Sequence, residues 1–291
     1  MKLLAPKYYL DFSCIADKCK HSCCIGWEID IDEKTMKKYS SLEGEYSENI
    51  RNSIEMGETP HFKLAQNERC PHLNEKGLCK IILNCGENCL CDICREHPRF
   101  YNFTNAGKEV GIGLSCEEAC RIIINSNSYD QMMEIGECDG EIEKCEFDAI
   151  AERERIYGIL KDINLTFEGK LEMIYDYYDI YLNEFPFYKI IDSLEYLNED
   201  HKKLFSITSK YFINFDMAKQ LERILAYFIY RHCSEACDYD DFYASLCFSL
   251  VCTSIISSIS LPDTLAECAR IVSEEIEYSE KNTDIIKSLF I

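Results

Sequence analysis

The chain is short of positive charge. Its 291 residues carry 31 lysines and arginines against 52 aspartates and glutamates, a net charge of −21. Such a chain repels phosphate backbones, so nucleic acid is not an expected partner, whereas a lysine-rich protein surface would be attracted. The opening, residues 1–7, lacks the apolar run and small-residue cleavage site of a secretory signal, which predicts a cytoplasmic protein. Gly-x-Ser-x-Gly, His-Glu-x-x-His and a glycine-rich loop after a strand are all missing. There is no internal repeat and no low-complexity segment. Only residues 242–261 are long and uncharged enough to suggest a membrane span. Ser245, Ser249, Thr253, Ser254, Ser257, Ser258 and Ser260 interrupt them, and Asp240, Asp241 and Asp263 bracket them where basic flanks would be expected. A buried core helix is the expectation, with no membrane partner.

Cysteine is what the chain has in excess. Twelve of its nineteen cysteines precede Arg121, as Cys14-x4-Cys19-x3-Cys23-Cys24, Cys70-x8-Cys79, Cys85-x3-Cys89-x-Cys91-x2-Cys94 and Cys116-x3-Cys120. At 47% apolar residues a chain of this length can bury a core without disulfides. In a reducing compartment a dense cysteine pattern points to soft-metal ligation. Zinc and iron–sulfur clusters are the two candidates, and spacing does not separate them. Adjacent Cys23 and Cys24 do not comfortably share one tetrahedral zinc. The gap from Cys24 to Cys70 makes the site a tertiary staple.

The radical-enzyme pattern Cys-x3-Cys-x2-Cys is absent, because Gly26 and Asp92 stand where its third cysteine would fall. The six histidines are scattered; His21 and His72, beside cysteines, are the least improbable ligands among them.

Composition predicts a mainly α protein: a cysteine-rich, metal-stapled N-terminal region with little β (1–126), an acidic connector (127–148) and a helical region (149–291). Short helices are expected at 32–41 and 116–126, a strand at 27–31, and a hairpin from 100–103 and 109–114. Apolar spacing predicts helices over 149–161, 168–184, 187–197, 217–236, 242–260 and 265–290. In the connector, Glu134, Glu137, Asp139, Glu141, Glu143, Glu146 and Asp148 read as a solvated charge run, and Cys138 and Cys145 as free thiols. Tyr175, Tyr177, Tyr178, Tyr181, Phe185, Phe187 and Tyr188 read as core and interface packing, with an aromatic cage for a methylated amine as the second reading.

Cys14-x4-Cys19-x3-Cys23-Cys24-x2-Trp27 followed by Ile29-Asp30 resembles the opening of the flagellin lysine-N-methylase family. So do Cys70-Pro71-His72-Leu73, Gly77-Leu78-Cys79, Gly86-Glu87, Cys94-Arg95-x2-Pro98-Arg99 and Leu114-Ser115-Cys116 with Glu118-Ala119. Tyr227-x2-Tyr230-Arg231-His232 and Glu277-Tyr278-Ser279-Glu280-x-Asn282 resemble its C-terminal motifs. The resemblance implies N-methylation of flagellin lysines with S-adenosylmethionine as donor and a 4Fe–4S cluster, zinc being the alternative. By matching, it implies metal ligands at Cys14, Cys19, Cys23, Cys24, Cys70, Cys79, Cys94 and Cys116. Cys85, Cys89, Cys91 and Cys120 are then additions of this chain.

The chemistry needs a neutral lysine amine, acidic or aromatic groups around a sulfonium, and an arginine for the donor carboxylate. Arg95, Arg99 and Arg121 are candidates for that arginine, and Asp30, Asp32 and Glu118 for the base. The competing functions are a non-catalytic zinc- or iron-binding structural module and an electron-transfer partner.

If the early cysteines hold metal, Cys23→Ser or Cys24→Ser should lose it and destabilise the N-terminal region, since zinc-site energies run to about 10 kcal/mol. Cys138→Ser should do neither. Metal content and thermal unfolding read both outcomes.

Overall fold

The structure, a computed structural model, describes residues 1–140, 142, 145–182, 187–208 and 210–291, the side chain of Tyr188 excepted. Glu141, Glu143, Phe185 and the end of the expected helix 168–184 lie outside the described residues. The chain divides into a small unit, Ser13–Pro98, and a large unit made of Met1–Phe12 and Arg99–Ile291. β1 (Lys2–Pro6) and the strands after Pro98 belong to one sheet, so residues 99–126 go with the large unit.

In the small unit, α1 (Glu33–Ser41) starts where expected. The Asp32 side chain caps it by accepting from the Thr35 amide at 2.9 Å. Asp32 also accepts from the Asp92 amide at 2.8 Å, tying α1 to a later helix. There follow α2 (Ser47–Asn52), a hairpin of β2 (Ile54–Met56) and β3 (Pro60–Phe62), α3 (Lys80–Cys85) and α4 (Asp92–Glu96). The strand expected at 27–31 reduces to one isolated bridge, Asp30 to His61. The core is small: Ile29, Ile31, Tyr39, Ile50, Phe62, Leu73 and Ile81, completed by Cys70, Cys89 and Cys91.

In the large unit, β4 (Arg99–Thr104) and β5 (Gly107–Ile112) form the expected hairpin. Gly107, at φ +142, closes it; a β-carbon there would stand 2.6 Å from the Lys2 carbonyl oxygen. After α5 (Glu117–Asn125), β6 (Met132–Glu137) completes a sheet of order β4-β5-β1-β6. This corrects the reading of 127–148 as solvated loop. Backbone pairing with β1 does not depend on the side chains, and the acids point outward, Glu134 pairing with Lys2. Cys145 is not a free thiol either: it is bridged to Cys237, with Cα atoms 5.1 Å apart. Cys138 is unbridged.

The helices are α6 (Ala149–Leu160), α7 (Phe167–Tyr178), α8 (Phe187–Ser193), α9 (Glu199–Phe205), α10 (Ala218–Cys233), α11 (Tyr239–Ile259), α12 (Leu265–Val272) and α13 (Glu280–Lys287). The protein is mainly α, as composition predicts. The expected continuous helix 265–290 is broken by a π-helical turn, Ser273–Glu277, and by Ser279, whose side chain accepts from the Asn282 amide and starts α13.

α11 is long and apolar enough to cross a membrane, yet 83% of its apolar window is buried inside the protein. Its hydroxyls are satisfied internally. Ser249 and Thr253 donate to carbonyls one turn back, and Ser254 and Ser257 accept from the amides of Phe212 and Asn214. Phe187 and Tyr178 are core residues as read from the sequence, but Tyr177 and Tyr181 are exposed.

A buried ion pair ties β5, α6 and α10 together. The Arg153 guanidinium donates to both Glu109 oxygens, at 2.6 and 3.0 Å, and to the Ser234 hydroxyl at 2.8 Å. Removing Glu109 leaves the buried Arg153 charge with only the half-exposed Glu154, 3.8 Å away. Glu109→Ala should therefore lower the urea-unfolding free energy by about 3–5 kcal/mol. Glu109→Met combined with Arg153→Met should cost less than the single change.

Candidate functional site

Ten cysteines lie in the small unit, and among the described residues none of them is disulfide-bonded. Seven, from Cys24 to Cys94, are in or against its core. Five of these act electrostatically on one another: Cys24, Cys70, Cys79, Cys91 and Cys94. The small unit's own folding gathers them. The Cys70 amide donates to the Cys24 carbonyl at 2.8 Å, Leu73 bridges to Cys79, and Cys91 and Cys94 flank the start of α4.

The Cys24 thiol is drawn down to about 7, chiefly by its hydrogen bond with Cys23 and against its burial, with help from Ser22 and the charge of Arg69. The hydrogen bond between Cys91 and Cys94 lowers the Cys91 thiol and raises the Cys94 thiol. Burial pushes Cys70 up to about 12. Lowered thiols at Cys24 and Cys91 in a thiol-lined core are of the donor type that soft cations prefer. Among the described residues, however, no three Cys, His, Asp or Glu side chains stand close enough in this geometry to hold a metal ion.

Of the eight cysteines expected as ligands, Cys24, Cys70, Cys79 and Cys94 are linked by electrostatic interaction within the small unit, and Cys23 hydrogen-bonds Cys24. Cys14 is exposed, and the Cys19 thiol donates to the His21 carbonyl at 2.9 Å. Cys116 belongs to the large unit, at the start of α5. Cys91, without a role in the sequence reading, joins the group; its Cys91-x2-Cys94 spacing, a common ligand spacing, was the available signal. Cys85 and Cys89 pack the small core, and Cys120 is buried against α12, near the Ala266 carbonyl. His72 is unsuited to ligation, because both ring nitrogens are engaged, by the Tyr46 hydroxyl at 2.9 Å and the Ser53 hydroxyl at 2.8 Å. Burial, then the charge of Lys80, lowers it to about 4.

The three arginines are already engaged. Arg95 pairs with Asp92, and Arg121 grips Glu118 through two bonds, of 2.6 and 2.7 Å. Arg99 donates to the Tyr9 hydroxyl at 2.9 Å, and its guanidinium lies 5.9 and 5.8 Å from the centres of the Tyr9 and Phe12 rings. Two of the suggested bases are held ionised. The Arg121 hydrogen bond lowers Glu118, and bonds from Thr35 lower Asp32 despite its partial burial. Lowered carboxylates accept protons poorly near neutral pH.

The large unit holds a second concentration of charge. Glu277, with no exposed side-chain surface, ends the π turn. It accepts from the Tyr227 hydroxyl at 3.0 Å, from His232 Nε2 at 2.8 Å and from Ser273, and lies 3.3 Å from Arg231 Nε. Spacing of four residues puts Tyr227 and Arg231 on one face of α10. The Tyr227 hydroxyl receives the Leu114 amide at 3.2 Å and Arg231 at 3.0 Å. The Arg231 guanidinium lies over the Phe100 ring, 4.7 Å from its centre, and the Tyr278 ring, 4.8 Å away. Beside Leu114, the hydroxyl of Ser115 is buried without a hydrogen-bond partner among the described residues. Segments far apart in the chain, whose motifs carried the family resemblance, thus converge. π turns recur at functional sites.

Over 129 residues the sequence is 29% identical to the flagellar biosynthetic protein FliU of Salmonella muenchen, covering 41% of this chain and 75% of that protein. Over 129 residues it is 28% identical to the lysine-N-methylases of Salmonella choleraesuis and Salmonella typhimurium, covering 41% of this chain and 32% of each. The chain is similar to lysine-N-methylases. It spans about a third of the length of those two relatives. No family model matches the chain, and no solved structure does.

Glu277 predicts a pH dependence. Burial opposes its ionisation, but Arg231, His232 and Ser273 outweigh that and hold it below its usual value of 4.5. A lowered carboxylate stabilises the fold above its unfolded pKa, and that contribution is lost as pH falls through the folded one. Glu277→Gln should cost about 3–5 kcal/mol at neutral pH. The difference from wild type should shrink as thermal unfolding is followed to acid pH.

Proposed function

We propose that the protein is a lysine N-methyltransferase that moves a methyl group from S-adenosylmethionine to lysine side chains of flagellin. The similarity to proteins named lysine-N-methylase carries this reading, and the FliU likeness favours a flagellar substrate. In the reaction the lysine nitrogen, as the free amine, forms a bond to the methyl carbon while the sulfur–carbon bond breaks. The amine's proton leaves to a base or to water.

Arg99 suits the donor. An arginine near the rings of Tyr9 and Phe12 combines the group that pairs with a carboxylate and the aromatic faces that attract a sulfonium. The Glu277 network is buried and mutually satisfied, so it acts as a positioning frame for α10 and the segment around Leu114–Cys116.

We further propose an iron–sulfur cluster in the small unit, held by Cys24, Cys70, Cys79 and Cys94 with Cys91 in reserve. Donor chemistry supports this: five interacting thiols line a core with few aliphatic residues, and thiolates bind iron or zinc in preference to harder cations. A bound cluster would supply the fold with the stability that so small a core lacks. Zinc in the same place is the alternative, and with it a structural role alone.

Anaerobically purified protein incubated with donor and flagellin should add single-methyl masses to lysine residues; flagellin left unmodified would defeat the reading. Broad visible absorbance together with iron in the metal analysis separates a cluster from zinc. Arg99→Lys should raise the KM for the donor by about tenfold with a smaller effect on kcat, because the ammonium cannot make a paired contact.

A further inference from the structure

Three tyrosines are left in water where α6, the end of α7 and the start of α11 meet on the large unit. Tyr177, Tyr181 and Tyr239 are 54%, 79% and 50% exposed. Clustered exposed aromatics mark interaction surfaces. These three stand among carboxylates. The Tyr181 hydroxyl donates to Asp179 at 2.7 Å, and the charge of Asp176 also acts on it. Tyr239 feels the charges of Glu152 and Asp179 and lies near Tyr177. Glu152 also accepts from the Tyr178 hydroxyl at 2.7 Å, which brings α6 and α7 to the same place.

The patch already shows the contact it is suited to make. The Arg155 guanidinium lies 4.9 Å from the centre of the Tyr177 ring while Glu152 holds it at 3.2 Å. A π face with a carboxylate at its edge holds an organic cation. A chain of net charge −21 disfavours an anionic occupant, and a second copy of itself is anionic.

We propose that this tyrosine–carboxylate surface docks a lysine-bearing segment of a partner protein. Ammonium groups lie over the rings and pair with Asp176, Asp179 and Glu152. The proposal rests on the reading above for the partner being a lysine-bearing substrate, but docking requires neither donor nor turnover.

The test measures fluorescence anisotropy of the full chain, without donor, against a short labelled peptide alternating lysine and glycine. The lysine peptide should bind, and the matching glutamate peptide should not. The triple variant Tyr177→Ala, Tyr181→Ala, Tyr239→Ala keeps the net charge and should weaken binding by about tenfold with an unchanged circular dichroism spectrum. Asp176→Asn with Asp179→Asn should also weaken it, whereas Glu43→Gln with Glu45→Gln, the same charge change in the small unit, should not. Equal weakening by the two charge pairs, or no effect of the tyrosine variant, would overturn docking. Docking that persists while flagellin goes unmethylated would defeat the reaction alone.

Discussion

A carboxylate removed from water governs how the large unit can be assembled. Glu277 is stable as an anion only if donors from several segments reach it at once, and they do: Tyr227, Arg231 and His232 from α10, and Ser273 from its own turn. Tyr227 passes the constraint to Leu114 at the end of the sheet, and Arg231 passes it to the rings of Phe100 and Tyr278. The π turn is consistent with this requirement, since the added residue sets Glu277 against α10. The second buried pair, Glu109 with Arg153, fixes α6 to the same strand and helix.

The small unit is built on a different principle. Its aliphatic core is slight and its interior is lined with thiols, which make weak hydrogen bonds and pack like small apolar groups. Five of them, Cys24, Cys70, Cys79, Cys91 and Cys94, act electrostatically on one another. Asp32, capping α1 and holding the start of α4, brings the Cys91–Cys94 pair toward the rest. Its role is to organise this unit, and its lowered pKa follows from that role.

Much of the fold was legible because burial imposes periodicity. The apolar spacing of α6, α10 and α11 and the Thr104–Gly107 turn of the β4–β5 hairpin were readable one segment at a time. β6 was not: the acids that suggest a solvated run say nothing about which edge the backbone pairs with. The break in 265–290 was hidden because apolar spacing persists through a π turn. At the candidate sites residue type was readable and partnership was not. His72 looked available until two hydroxyls occupied it. Arg121 and Glu118, suggested separately as donor ligand and base, hold each other.

The sequence by itself determined the mainly α character, the excess of acid and the presence of a thiol-rich region, because these follow from composition and local spacing. Tertiary structure decided that the cysteines divide between two units, that Cys91 stands with Cys24, Cys70, Cys79 and Cys94, and that Leu114, Tyr227, Arg231 and Glu277 meet. It also decided which tyrosines remain in water. Each of these depends on contacts between segments tens of residues or more apart, and local preference carries no information about them.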